Sequence, residues 1–84
     1  MPRFIAAHSV VFNEDQLKEM AAKPLPEGVS WLRTYCSYDD GKCFCEWEAP
    51  SKEVVEQVLQ QAQAPYDAVY GVRLFDVPTA SLEP

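Results

Sequence analysis

The chain has no run of basic residues: seven Lys and Arg stand against thirteen Asp and Glu in 84 residues, a formal charge of -6. Nothing here can neutralise successive phosphates, so no nucleic-acid partner is expected. Nor is there an apolar stretch long enough to span a membrane. The best candidate, "MPRFIAAHSVVF", is broken by His8 and Ser9 and followed by Asn13, Glu14 and Asp15. Without the pattern of a secretory leader, the expected compartment is a reducing cytoplasm, where a structural disulfide is the exception. A Ser-His-Asp arrangement, a glycine-rich phosphate cradle and a paired-carboxylate motif are all missing, and no residue is assigned a catalytic role. Histidine occurs once, as His8, and the three cysteines all fall between Tyr35 and Glu48.

What the chain does contain is material for a core. Hydrophobic residues make up 48%, including two Trp, four Tyr and four Phe, a composition that excludes a disordered chain. Its length supports one domain, and the modest burial available to so short a chain makes a surface shared with a partner advantageous.

Arg3 to Phe12 is rich in β-branched and aromatic residues without clean alternation, which predicts a central strand over 3–12. Asn13 caps a helix over 13–23 whose third residue is Gln16 and whose stripe is Leu17, Met20 and Ala21, stopped by Pro24. A second strand over 28–38 returns through a two-residue turn at Asp40-Gly41 into a third over 42–49. Ser51 caps a helix over 51–63 with Val54, Val55, Val58, Leu59 and Ala62 on one face, and 66–77 reads as the last strand. This order predicts an α+β, ferredoxin-like βαββαβ domain over 1–77. Its four-stranded antiparallel sheet carries both helices on one face, with the first and third strands central. A tail over 78–84 lies loose or across a partner. Apolar residues of the other parity have no cover within one chain, which predicts a homodimer.

A two-residue turn places Asp39 opposite Lys42, Tyr38 opposite Cys43 and Cys36 opposite Cys45. Side chains repeat every two residues, so Cys43 and Cys45 share a face and all three sulfurs point the same way. A turn longer by one residue would send Cys36 to the other face. Three readings stay open for these thiols: simple burial, the common state of a free cysteine; a metal site; and redox or catalytic use. The C-x-C spacing alone is weak for zinc. His8, on the strand adjoining the third, is placed near the Cys43–Glu46 segment, and imidazole with thiolate suits nickel or zinc better than magnesium or calcium.

The leading reading is therefore noncatalytic binding of nickel or zinc. Cys36 and Cys45 serve as thiolates, His8 supplies nitrogen, and Cys43 or Glu46 completes the set. Glu46 and Glu48 share the face opposite Cys45, with Arg33 expected across from Glu48. The alternative is a small-molecule enzyme or binding protein of the dimeric α+β barrel type, its ligand held between sheet and helices by His8, Tyr35 and Arg73.

The stretch "EGVSWLRTYCSYDDGKCFCEWEAPSKEVVEQV" resembles a small bacterial family described as nickel-binding or DUF4242-like. The residues that carry the resemblance are Gly28, Val29 and Trp31, Thr34 and Tyr35, Lys42, Phe44 and Cys45, and Ala49, Pro50 and Ser51. Pro65 to Asp76 resembles the start and body of that family's last strand. The resemblance implies a ferredoxin-like domain that pairs as a homodimer and binds a divalent metal. Cys43 stands where Thr or another small polar residue is more usual, and the first helix is shorter, so no ligand set is transferred.

Overall fold

Six residues, Arg3–His8, form β1, and its alternation is visible in burial: Phe4, Ala6 and His8 face the interior while Arg3, Ile5 and Ala7 are half-buried on the other side. The computed structural model describes residues 1–83. In it β1 ends at His8, four residues before the predicted limit, where the chain bends at Ser9 and Val10. The turn is tied off by the Ser9 hydroxyl, which donates to Asp67 and accepts from Lys42 Nζ.

Helix α1 (Glu14–Ala21) opens with a reciprocal cap: Asn13 Oδ1 accepts from the Gln16 amide at 2.8 Å and Gln16 Oε1 accepts from the Asn13 amide at 2.9 Å. None of its residues is buried. Strands β2 (Ser30–Ser37) and β3 (Lys42–Glu48) form the hairpin, and Ser51 caps α2 (Lys52–Gln61), which buries Val55 and Leu59. β4 (Ala68–Val72) completes one antiparallel sheet of order β2-β3-β1-β4. The fold is the predicted ferredoxin-like α+β arrangement with β3 and β1 in the centre. The main core joins Phe4, Ala6, Cys45, Trp47 and Val69 of the sheet to Val55 and Leu59 of α2. Among the described residues no helix is long and apolar enough to cross a membrane.

Two features differ from the sequence expectations. The hairpin loop is Tyr38–Gly41, not a two-residue turn, so Ser37 faces Lys42 and Cys36 faces Cys43 instead of Cys45. Gly41 takes a positive φ of 65° there, the conformation glycine adopts without a Cβ penalty. Tyr38 is freed from the ladder and donates its hydroxyl to the Phe12 carbonyl at 2.7 Å. The register moves by two residues, which preserves parity, so the cysteines still share a face. The same shift places Arg33 across from Glu46, not Glu48, and a bulge between Trp31 and Arg33 then resets the register so that Trp31 faces Trp47.

The last strand also breaks. After β4, Arg73 and Leu74 leave the sheet, and β5 (Phe75–Asp76) pairs with β6 (Ser81–Leu82) in a small hairpin. The segment expected to be a tail folds back on its own chain: the Glu83 amide donates to the Leu74 carbonyl and Glu83 pairs with Arg3. Pro84, the end of that tail, lies outside the described residues.

Candidate metal centre

Antiparallel pairing puts His8 directly opposite Cys43 and Ala6 opposite Cys45. Each of His8, Cys43 and Cys45 offers one ligand atom, and those atoms lie within 4.8 Å of one another. All three side chains are buried: His8 is 1% exposed, Cys43 0% and Cys45 3%. Three ligands of a zinc-like ion sit roughly 3.3–3.8 Å apart, given Zn–S near 2.3 Å and Zn–N near 2.0 Å. The cluster is therefore within about 1 Å of coordinating distance.

The hydrogen bonding of His8 determines which nitrogen is available. Nδ1 lies 2.7 Å from the Pro65 carbonyl oxygen, which can only accept, so Nδ1 carries the proton and Nε2 keeps its lone pair. Nε2 is buried and has no hydrogen-bond partner. A buried acceptor without a partner is costly unless something fills the role, and a backbone carbonyl fixing the remote nitrogen is the usual support of a metal-binding imidazole. Phe12 covers the ring edge-on at 6.2 Å.

Both thiols are held protonated by their surroundings. Burial, reinforced by the neighbouring Cys45 and Cys36 sulfurs, pushes Cys43 up to about 12. Burial raises Cys45 as well, opposed by hydrogen bonds from Thr34 and Cys43. The Thr34 hydroxyl donates to Cys45 Sγ at 3.2 Å and itself accepts from Trp31 Nε1 at 2.8 Å. Trp31 stacks on Trp47, ring centroids 5.8 Å apart. Burial of this kind disfavours a bare thiolate but not one compensated by a cation, so the donors suit a soft or borderline divalent ion.

The other sequence candidates lie elsewhere. Cys36 is half-buried on the edge strand β2, on the same face but outside the three-residue cluster. Glu46 is on the opposite face, 5% exposed, and bound by Arg3 Nη1 and Arg33 Nε, each at 3.3 Å. Two guanidiniums thus hold the carboxylate away from the thiols. Tyr35, paired with Phe44, is exposed on that same opposite face. Arg73 lines a groove beside Arg3 and Phe4, at the far end of β1, roughly 17 Å from His8 at 3.3 Å per residue. His8, Tyr35 and Arg73 therefore do not line one pocket. The sequence reading missed Thr34 and the Pro65 carbonyl. Thr34 shares the parity of Cys36 and was open to discovery on that ground, whereas no side-chain pattern marks a backbone carbonyl.

No curated protein and no solved structure matches this chain. The model of one family does, over residues 4–72, a span containing all of the four-stranded sheet except Arg3, both helices and the His8, Cys43 and Cys45 cluster. The chain belongs to the family of nickel responsive proteins described as SCO4226-like.

Proposed function

We propose that this chain binds one nickel or zinc ion, without catalysing a reaction on it, through His8 Nε2 and the sulfurs of Cys43 and Cys45, and that it does so as a homodimer. The observation that carries the metal reading is the state of His8. Its Nδ1 is committed to the Pro65 carbonyl, and its Nε2 is buried without a partner beside two buried thiols. A bound cation would supply the positive charge that makes buried thiolates tolerable. The chain's own part is to orient the imidazole through Pro65 and to support the Cys45 sulfur through the Thr34 hydroxyl. The family description favours nickel.

The dimer reading is supported by the sheet face turned away from the helices. Tyr35, Phe44 and Tyr70 are 56%, 41% and 58% exposed there, around the Arg3–Glu46–Arg33 ion pairs. A second copy would cover this apolar area.

Calorimetry on reduced, demetallated protein tests the site. One nickel or zinc ion should bind per chain in preference to magnesium. H8A, C43A and C45A should lose that affinity, whereas C36A and E46Q should keep it. Absence of saturable nickel or zinc uptake by the wild-type chain refutes the reading. Analytical ultracentrifugation tests the dimer independently: a 9.5 kDa species with no heavier component at low micromolar concentration refutes it.

A further inference from the structure

Two cysteines face each other across the hairpin, and the hydrogen bonding of the sheet fixes how closely. Cys36 on β2 is the register partner of Cys43 on β3. Just past β3 the Ala49 amide donates to the Pro2 carbonyl at 3.2 Å, so Ala49 turns its backbone groups toward the β1 side. Successive residues of a strand turn those groups to opposite edges, and the β1–β3 register is unbroken, so Trp47, Cys45 and Cys43 also bond toward β1. Cys43 therefore has no backbone bond to Cys36. The two form a non-hydrogen-bonded pair, the type in which Cα atoms stand about 4.5 Å apart and side chains come closest.

The neighbouring pair of this type on the same face shows the approach directly: Thr34 is the partner of Cys45, and its hydroxyl lies 3.2 Å from Cys45 Sγ. All three cysteines are free thiols. A disulfide accepts Cα separations of about 4.4–6.8 Å. Cys45 is roughly 7 Å from Cys43 along the strand and about 7–8 Å from Cys36 on the diagonal, so only Cys36 and Cys43 fall well inside that range. Their exposure differs. Cys36 is half-buried on the edge strand β2, within reach of a small solute, whereas Cys43 is fully enclosed.

We infer that Cys36 and Cys43 are a site of reversible disulfide formation by hydrogen peroxide, and that this modification and metal binding exclude one another. The Cys36 sulfur attacks one peroxide oxygen, the O–O bond breaks, and the departing hydroxyl leaves with the thiol proton as water, making Cys36 a sulfenic acid. The Cys43 sulfur then attacks the Cys36 sulfur. The S–O bond breaks, the S–S bond forms, and the hydroxyl leaves with the Cys43 proton as a second water. Two thiols lose two electrons in all, and one peroxide is reduced to two waters. A sulfur held in a disulfide has no thiolate to offer a cation, which leaves only His8 and Cys45 of the cluster. This exclusion rests on the metal site proposed above, whereas the disulfide does not. By linkage, bound metal disfavours the disulfide in turn.

The test is oxidation of the reduced, metal-free chain with one equivalent of hydrogen peroxide, read by intact mass and by peptide mapping. Cleavage after Lys42 and Phe44 puts the three cysteines on separate peptides. The wild-type chain should lose two hydrogen atoms and yield the Cys36 and Cys43 peptides joined, as should C45A, while C36A and C43A should form no internal bond. Oxidised wild type should bind nickel at least about 100-fold more weakly, more than the loss of an outer-shell partner brings, and a dithiol reductant should restore it. C36A given the same peroxide should keep its nickel affinity, and nickel-loaded wild type should resist linkage. Wild type in which Cys36 and Cys43 stay unlinked, or in which Cys36 is joined to Cys45, overturns the inference. A linked protein that holds nickel as tightly as the reduced one overturns the place of Cys43 among the ligands, and the exclusion with it.

Discussion

Replacing Thr34 with valine keeps the shape of the side chain and removes its hydroxyl, which joins two elements of the site. In the wild-type chain that hydroxyl donates to Cys45 Sγ at 3.2 Å and accepts from Trp31 Nε1 at 2.8 Å. Valine is also β-branched, so strand propensity and packing volume are nearly conserved. T34V loses one hydrogen bond to sulfur and leaves a part-buried indole N–H without an acceptor, together costing about 1–2 kcal/mol. In a domain of this size each kcal/mol moves Tm by roughly 4–8 °C, so the metal-free variant should melt roughly 4–16 °C lower. Because the same hydroxyl supports a proposed ligand, nickel affinity should fall about 10-fold, the lower range for losing an outer-shell partner. Differential scanning calorimetry and nickel titration read the two effects on one sample, and T34S, which restores a hydroxyl, should recover most of both. A T34V protein that melts within about 2 °C of wild type and holds nickel equally well would refute the role given to this hydroxyl.

Three further outcomes are expected. The thiol of Cys43 rises from 9.0 to about 12 on folding; between those values the unfolded state has lost a proton that the folded state retains. Stability of the metal-free chain should therefore be complete below pH 9 and fall as pH rises toward 12, with a shallower fall in C43A, measured by urea unfolding at successive pH values. E46Q weakens the ion pairs to Arg3 and Arg33 and should cost roughly 1–3 kcal/mol in urea unfolding while leaving nickel binding in place; loss of the binding isotherm in a folded E46Q would return Glu46 to the ligand set. N13A removes the acceptor half of the α1 cap, worth about 1 kcal/mol. Since no residue of α1 is fully buried and only Leu17 and Met20 are half-buried, the effect should appear as faster amide exchange in Glu14–Ala21, with little change in β1 or β3.

What the sequence determined by itself was local or periodic. Asn13 with Gln16, and Ser51 before an apolar stripe, mark helix starts because a cap is completed within one turn of chain. Strand alternation put Cys43 and Cys45 on one face and Glu46 on the other, since period two follows from backbone geometry alone. The element order then left few topologies that bring β1 beside β3, and with it His8 near the thiols. The register was not available from the sequence. Asp40-Gly41 allows a two-residue turn, but the four-residue Tyr38–Gly41 loop prevails, with Tyr38 bonded to the Phe12 carbonyl and Arg33 placed against Glu46. These contacts join residues far apart in sequence, so their combined energy is invisible to a local reading. The break at Arg73–Leu74 is of the same kind, its small hairpin held by Glu83 bonded to Leu74 and Arg3. Only the tertiary structure assigned the His8 tautomer, because the acceptor is the backbone oxygen of Pro65, 57 residues away, and a carbonyl oxygen has no signature in sequence.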